Sequence, residues 1–424
     1  MTVWNDADFT DRLAHANWMA NTAVLMYLNE RATGDPARDW LSSWAHRYFV
    51  GENLRVLVLG CGEGWLERAL AQWPFVARID AVDFAADAVE RARETARGLA
   101  KIEYGVVDLN RDALPPDTYD VVVAHSVLHH VENLEHAYAQ IERTMRANAT
   151  LIINEYVGPK RFQYSDDVSR IINALLQCIR PGEVRARPTV EEMIANDPTE
   201  AVRSDELLAF TARQFDVLDR KDLGGTILQH LLYDIVQHYR FDVPRERGLI
   251  EMLCTIEGML VDRGRVPSDF ALLAARKKGA SVRALPRPLP PRAQGAEDVE
   301  SDPLRSTGRW SAGFQPAGPP ASSRPVASAA GRMPADRQAR MPALQRRERY
   351  GSAHQWHHAL RLLRIALASQ QPRRANLFEE RAIYSWRERL LALGSDPWSW
   401  ILRRMPDDAP FVDLVETAAT LALQ

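Results

Sequence analysis

The sequence predicts an α/β fold, a doubly wound and mostly parallel sheet of seven strands with a helical cap, over residues 51–279. Three observations carry the prediction. Short apolar runs alternate with stretches of helical period, the pattern of βαβ units in a parallel sheet. The first run, VLVL, passes into Gly60-Cys61-Gly62-Glu63-Gly64 and then directly into a helical pattern. Later runs end in Asp83, in Asp108 and in His125-Ser126, so polar groups gather at the carboxyl ends of the strands, where open α/β sheets bind their ligands.

Taken in order, residues 1–50 read as an N-terminal helical cap that includes ANWMANTAVLMYLNERATGD. Strands are expected at Arg55–Leu59, Arg78–Val82, Ile102–Val107, Val121–His125 and Leu151–Glu155. Helices fall between them at Trp65–Gln72, Ala86–Leu99 and Leu134–Met145. A sixth strand is expected at Phe215–Arg220, and DFALLAARKK supplies the last. Two insertions, about 157–214 and 224–266, separate these late strands and are placed to cover a site at the strand ends.

Beyond residue 280 the composition changes. Residues 281–352 hold 11 of the 25 prolines, 12 arginines, no lysine and six acidic residues, and repeat R-M-P-A at 332 and 340. Such a segment cannot bury enough apolar surface to offset its chain entropy and is expected to be a disordered linker. Helical period returns over 353–424, where Trp356, Leu360, Leu363 and Leu367 share one face, as expected of a small helical segment that docks by packing. The chain carries −3 overall and +6 in the linker, hence −9 elsewhere, which argues against a nucleic-acid partner. No run of some 18 apolar residues is long enough to span a membrane, the first ten residues do not resemble a secretion signal, and Cys61, Cys178 and Cys254 stand far apart. A cytoplasmic protein without disulfides is expected.

The chemistry lies at the strand ends. Glycines there leave backbone N–H groups exposed and no Cβ to block a close approach. Asp83, about twenty residues beyond the glycines and followed by Phe84, is placed to accept both hydroxyls of a ribose. Asp108 is a carboxylate able to accept an adenine amino group. Together these residues suit an adenosine compound. A dinucleotide fingerprint places its last glycine where Trp65 stands, and Glu63 would repel a pyrophosphate, so the turn favours a sulfonium cofactor, S-adenosylmethionine.

The segments LVLGCGEGWLERAL, IDAVDFAADAVERAR, YGVVDLN, YDVVVAHSVLHHVENL and IINEYVGPKRFQY resemble successive motifs of the class I S-adenosylmethionine-dependent methyltransferases, a Rossmann-like family, over roughly residues 10–279. The resemblance implies that Gly60, Cys61, Gly62 and Gly64 pass under the amino-acid portion of the cofactor, with His125 and Ser126 beside its methionine portion. It further implies that Asp83 and Phe84 hold the ribose and that Asp108 and Leu109 read adenine. Members usually enter the fifth strand through a Pro-Gly-Gly turn; Arg146-Ala147-Asn148-Ala149 stands there instead, and a turn shaped by Asn148 is expected.

On the acceptor side, His129 is the candidate general base, Glu155 a second catalytic candidate, and Tyr156, Arg161 and His230 the candidate acceptor contacts. No metal is expected: adjacent His129 and His130 cannot share a helix face and no third ligand stands nearby. The predicted activity is methyl transfer to a small acceptor, a hydroxylated metabolite, sugar or lipid. Two other readings are an NAD(P)-dependent oxidoreductase and a non-catalytic scaffold that keeps the cofactor fold.

Overall fold

The structure, a computed structural model, describes residues 17–280 with the exception of Pro181. The expected linker, the C-terminal helical segment and the first sixteen residues of the cap lie outside the described residues. The helices and strands are α1 Thr22–Thr33, α2 Trp40–Tyr48, β1 Leu54–Leu59, α3 Trp65–Leu70, β2 Val76–Asp83 and α4 Ala86–Thr95. They continue as β3 Ile102–Val106, β4 Tyr119–His125, α5 Leu134–Thr144, β5 Met145–Tyr156, α6 Asp166–Ile179 and α7 Val190–Asn196. The last are α8 Leu207–Gln214, β6 Phe215–Gly224, α9 Leu228–Leu232, α10 Pro244–Asp262 and β7 Phe270–Lys277.

Seven strands form one sheet in the order β3-β2-β1-β4-β5-β7-β6. The first five pair in parallel, and β7 runs antiparallel between β5 and β6. Strand order reverses between β1 and β4, which makes the carboxyl ends of these two strands the topological switch point. The central strands are apolar without alternation because both faces are covered: Val56 to Leu59 and Val121 to Ala124 are almost wholly buried. On one face the α5 residues Leu134, Ala137, Tyr138 and Ile141, at helical spacing, join Leu57, Val122 and Leu151 in one core. Asn133 caps that helix by accepting the His136 N–H at 3.2 Å.

The described residues fall into two compact units, and all seven strands lie in one of them. The other comprises residues 165–186 and 240–265 and holds α6 and α10. Within it, α6 buries Val168, Ile172, Leu175 and Leu176 at helical spacing. Asn173 braces the chain that follows, donating to the Arg185 carbonyl at 2.9 Å and accepting the Arg185 N–H at 2.8 Å.

One local expectation is corrected. Arg146-Ala147-Asn148-Ala149 is not a separate turn but part of β5, which begins directly after α5 at Met145. Tyr119 pairs with Met145 and Val121 with Thr150, so β5 carries three more residues than β4 across this step and takes them up as a bulge. Without Gly or Pro to reverse the chain, the segment stays extended. Arg146 is fixed by the Asp120 carboxylate, reaching both oxygens at 2.8 Å.

Truncation at the helix–sheet seam is expected to be costly. Ile141 is wholly buried, and Ile141→Ala should lower unfolding stability by about 2–5 kcal/mol in urea titrations, with the slope of the transition unchanged.

Candidate functional site

A cleft of about 900 Å³, its open mouth included, lies at the switch point and is walled by the carboxyl ends of β1, β2 and β4 and the loop after β3. Gly60, Gly62 and Glu63 form its floor on the β1 side. Asp83, Phe84 and Ala85 follow β2, Asp108 to Asn110 follow β3, and Ser126, Val127 and His130 follow β4. Thr199 reaches it from the first insertion.

Gly60 and Gly62 have positive φ, 70° and 49°. A Cβ on Gly60 would lie 2.4 Å from the Val127 Cβ, whereas one on Gly62 would enter open space. The turn therefore needs glycine at the first position to let the β4 loop close in and at the second to keep the floor bare. Asp83 ties this turn to β2. Its carboxylate accepts the Gly62 N–H at 2.9 Å and the Ala85 N–H at 2.9 Å. Burial pushes its carboxyl above the ordinary aspartate value, while backbone N–H groups of Ala85, Gly62 and Phe84 pull the other way. Asp108 accepts from the backbone and side-chain nitrogens of Asn110 and sits 3.2 Å from the Arg111 guanidinium. Asn110 in turn accepts the N–H groups of Glu132 and Asn133, which latches the β3 and β4 loops together.

Of the residues expected to hold a cofactor, Gly60, Gly62, Asp83, Phe84, Asp108, Leu109 and Ser126 line the cleft. Three do not. Cys61 is buried, and burial followed by the Glu67 charge pushes its thiol up. Gly64 serves packing, since a Cβ there would meet the Tyr104 hydroxyl at 2.4 Å. His125 is buried with its ring 5.6 Å from Trp40 and 5.5 Å from Trp65, and burial lowers its pKa to about 3, so it is neutral.

The acceptor-side candidates separate. His129 is wholly buried and Glu155 with it: Glu155 accepts the Val127 and Leu128 N–H groups at 2.7 Å each and bonds His129 Nδ1 at 2.7 Å. Neither lines the cleft, so His129 does not occupy the position of a base facing an acceptor there. His130 does line it. Its Nδ1 lies 3.1 Å from the Thr199 hydroxyl, which itself donates to Asp197 at 2.7 Å. Burial and then the neighbouring His129 hold the His130 ring well below the usual imidazole value. Tyr156 donates to the Pro159 carbonyl and packs on Phe162 and Phe270. Arg161 donates to the carbonyls of Pro198 and Glu200, and His230 lies against Tyr164 at 4.3 Å. These three are not brought together at the cleft.

Asn110 and Thr199 were not expected from sequence. Asn110 is signalled only by following Asp108 in DLN, and Thr199 comes from 69 residues beyond His130 with no local mark. The expectation that adjacent histidines diverge is also corrected: the chain at Leu128–His130 is a 3-10 turn, and the two rings approach to 4.1 Å between centroids.

Residues 57–153 match the family model described as a methyltransferase domain. Over this stretch the chain carries a methyltransferase domain. Malonyl-[acyl-carrier protein] O-methyltransferase of Bacillus anthracis is 26% identical to it over 127 residues, 30% of this chain and 46% of that protein. (S)-coclaurine N-methyltransferase of Thalictrum flavum is 28% identical over 141 residues, 32% of this chain and 38% of that protein. The chain thus spans about half or less of the length of these curated relatives. A solved S-adenosylmethionine dependent methyltransferase from Mesorhizobium loti is 18% identical, with coverage of 56% of this chain and 97% of that one and a TM-score of 0.36. No helix among the described residues is long and apolar enough to cross a membrane.

Beneath the glycine turn of the methyltransferase domain, Glu67 on α3 is wholly buried, and burial pushes its carboxyl up to about 8. Between its ordinary value of 4.5 and that figure the folded protein keeps a proton that the unfolded chain has released, so stability falls as pH rises. His125 acts in the opposite sense between about 3 and 6.5, where the unfolded chain takes up a proton and the folded ring refuses it. The two effects oppose each other at mildly acid pH and leave a net decline on the alkaline side. Glu67→Gln removes that decline: its stability relative to the parent should grow by about 3 kcal/mol between roughly pH 5.5 and 8, read from unfolding at each pH.

Proposed function

We propose that the protein binds S-adenosylmethionine in this cleft and transfers its methyl group to a small-molecule acceptor, a hydroxylated metabolite, sugar or lipid. The observation that carries the reading is the clamp between Asp83 and the Gly62 N–H at 2.9 Å, set over a bare glycine floor at the switch point. A carboxylate has about four lone-pair sites, so Asp83, which lines the cleft, can accept from a ribose hydroxyl beside its backbone N–H partners. Gly60 and Gly62 admit the amino-acid portion against the backbone. Asp108 and the backbone of Leu109 face the adenine end, with the half-exposed Phe84 ring beside them.

Bound in this way, the sulfonium supplies an activated methyl group for displacement by a nucleophile. The chain contributes placement and the exclusion of water more than acid–base chemistry, because holding two reactants at attack distance is itself worth several kcal/mol. The acceptor enters on the side of His130 and Thr199, the one part of the cleft wall built in part by an insertion. The malonyl-[acyl-carrier protein] and (S)-coclaurine enzymes methylate oxygen and nitrogen respectively, as their names state. The net negative charge outside the linker supports a small acceptor over a nucleic acid.

Thermal unfolding of the full chain with S-adenosylmethionine, S-adenosylhomocysteine and NADH in parallel tests the reading. Ligand at about a hundred times its dissociation constant should add roughly 2.7 kcal/mol to stability for the first two and nothing for NADH. Asp83→Ala should weaken S-adenosylmethionine binding by about 10- to 100-fold, the loss of charge-assisted hydrogen bonding to the ribose. Stabilisation by NADH alone would turn the reading to a nicotinamide-dependent oxidoreductase.

A further inference from the structure

We infer that His129, His130 and Glu200 bind a zinc-class divalent cation at the wall of the cleft. One candidate ligand atom from each lies within 4.8 Å of the others. The decisive observation is His129. Its ring is wholly buried, and its Nε2 has no hydrogen-bond partner. The nearest acidic oxygen to that nitrogen is Glu200 Oε1, at 3.8 Å. An imidazole nitrogen left unbonded in the interior forfeits its water without compensation.

The other edge of the ring sets the tautomer. Glu155 Oε1 already accepts two backbone N–H groups, and Oε2 lies 2.7 Å from His129 Nδ1. The carboxylate accepts there, so Nδ1 carries the hydrogen and Nε2 keeps its lone pair. Carboxylate, imidazole and an open nitrogen in line form the arrangement by which proteins orient histidine ligands to metals. Two imidazoles and one carboxylate suit zinc, which binds donors at about 2.0–2.2 Å and so holds them roughly 3.4 Å apart. Closing the 3.8 Å gap between His129 and Glu200 to that spacing asks for a shift of a few tenths of an ångström, and drawing in a ligand atom from the 4.8 Å limit asks for about 1.4 Å.

Charge balance points the same way. Three carboxylates, Glu155, Asp197 and Glu200, are at most 1% exposed around the two histidines. A neighbouring positive group is Arg161, whose guanidinium donates to the Pro198 and Glu200 carbonyls. A divalent cation at the two histidines would add positive charge among these buried carboxylates. Three protein ligands leave a position for a fourth. His130 is the ligand that lines the cleft, so the fourth donor, water or an acceptor oxygen, arrives from that side. Delivery of an acceptor oxygen rests on the methyl-transfer reading; cation binding does not.

The test uses the full chain stripped with a chelator and titrated with zinc against a chromophoric competitor, alongside cobalt substitution. One equivalent of tight zinc and a cobalt spectrum of tetrahedral intensity are expected. Glu200→Gln and His129→Gln should each weaken zinc binding at least tenfold, and His130→Gln, at the more tolerant cleft wall, should do the same if either buried variant fails to fold. Glu155→Gln, which can set an amide donor against His129 Nδ1 in place of the accepting carboxylate oxygen, should cost about 10- to 100-fold. Replacing His354, His357 and His358 together by Ala separates the other histidine-rich run of the chain and should leave the equivalent of zinc in place. No zinc held by the parent protein, binding unchanged in all three ligand variants, or loss only in the triple replacement would overturn the inference. Binding of S-adenosylmethionine, measured separately on the stripped protein, reports on the methyl-transfer reading independently.

Discussion

Wholly buried at the end of β5, the Glu155 carboxylate accepts two backbone N–H groups from Val127 and Leu128 and holds the His129 ring through Nδ1. Those two N–H groups belong to the chain that leaves β4 and forms one rim of the cleft. Were the carboxylate absent, both would be orphaned in the interior at about 1–3 kcal/mol each, and the loop would have no reason to keep its course. Val127 would then leave the place where it closes over Gly60, where a Cβ would approach it to 2.4 Å. A single side chain thus couples the fifth strand to the glycine turn after the first, across the switch point, and the cleft exists because that coupling holds. Reciprocally, the charge is tolerated so deep because three donors converge on it.

A second set of ties fixes the far wall. Asn110 accepts from Glu132 and Asn133, and Arg203 donates to the Glu132 carbonyl at 3.0 Å and to Glu135 at 2.8 Å. The loop after β3, the start of α5 and the first insertion are in this way bonded to one another, which carries Thr199 to the cleft. Arg161 closes the same circuit from its other side through the carbonyls of Pro198 and Glu200. Its role is that of a backbone clamp, a use well matched to a guanidinium with five donors in a rigid fork.

The sheet was largely legible in the sequence because its strands are buried on both faces and read as unbroken apolar runs. The expected Arg78–Val82 and Val121–His125 fall inside the observed β2 and β4. The strand-end residues were legible for the same reason: a run that stops at Asp83 or Asp108 puts its polar residue at the carboxyl end by construction. What sequence could not show is closure over long separations. Glu155, His129 and Glu200 meet only when β4, β5 and the insertion are folded, and nothing within a few residues of Glu200 marks it. Tyr156 and His230 were expected to face the acceptor, yet the aromatic neighbours Phe162, Tyr164 and Phe270 gather them into packing. The missing Pro-Gly-Gly was read as a turn kept by Asn148, whereas an extended chain with a bulge meets the same length mismatch without left-handed residues.

The structure also shifts which property of the glycine turn argues for a sulfonium cofactor over a dinucleotide. In sequence Glu63 stands as an unbalanced charge, but its carboxylate lies 3.0 Å from the Arg91 guanidinium, and both are about a quarter exposed or less. A paired charge at that exposure repels a phosphate weakly. Shape discriminates more firmly. In a dinucleotide fold the last glycine of the fingerprint lets the helix pack close against its strand beside the pyrophosphate. That position is Trp65, whose ring packs edge-on to the buried His125 ring at 5.5 Å, so the first turn of α3 carries bulk where the dinucleotide motif needs none. Asp83 then spends one oxygen on the Gly62 N–H, the kind of turn donor that would otherwise point at a phosphate. A turn that has already committed an N–H to a carboxylate, and stands on a tryptophan, is built for a ligand without phosphates.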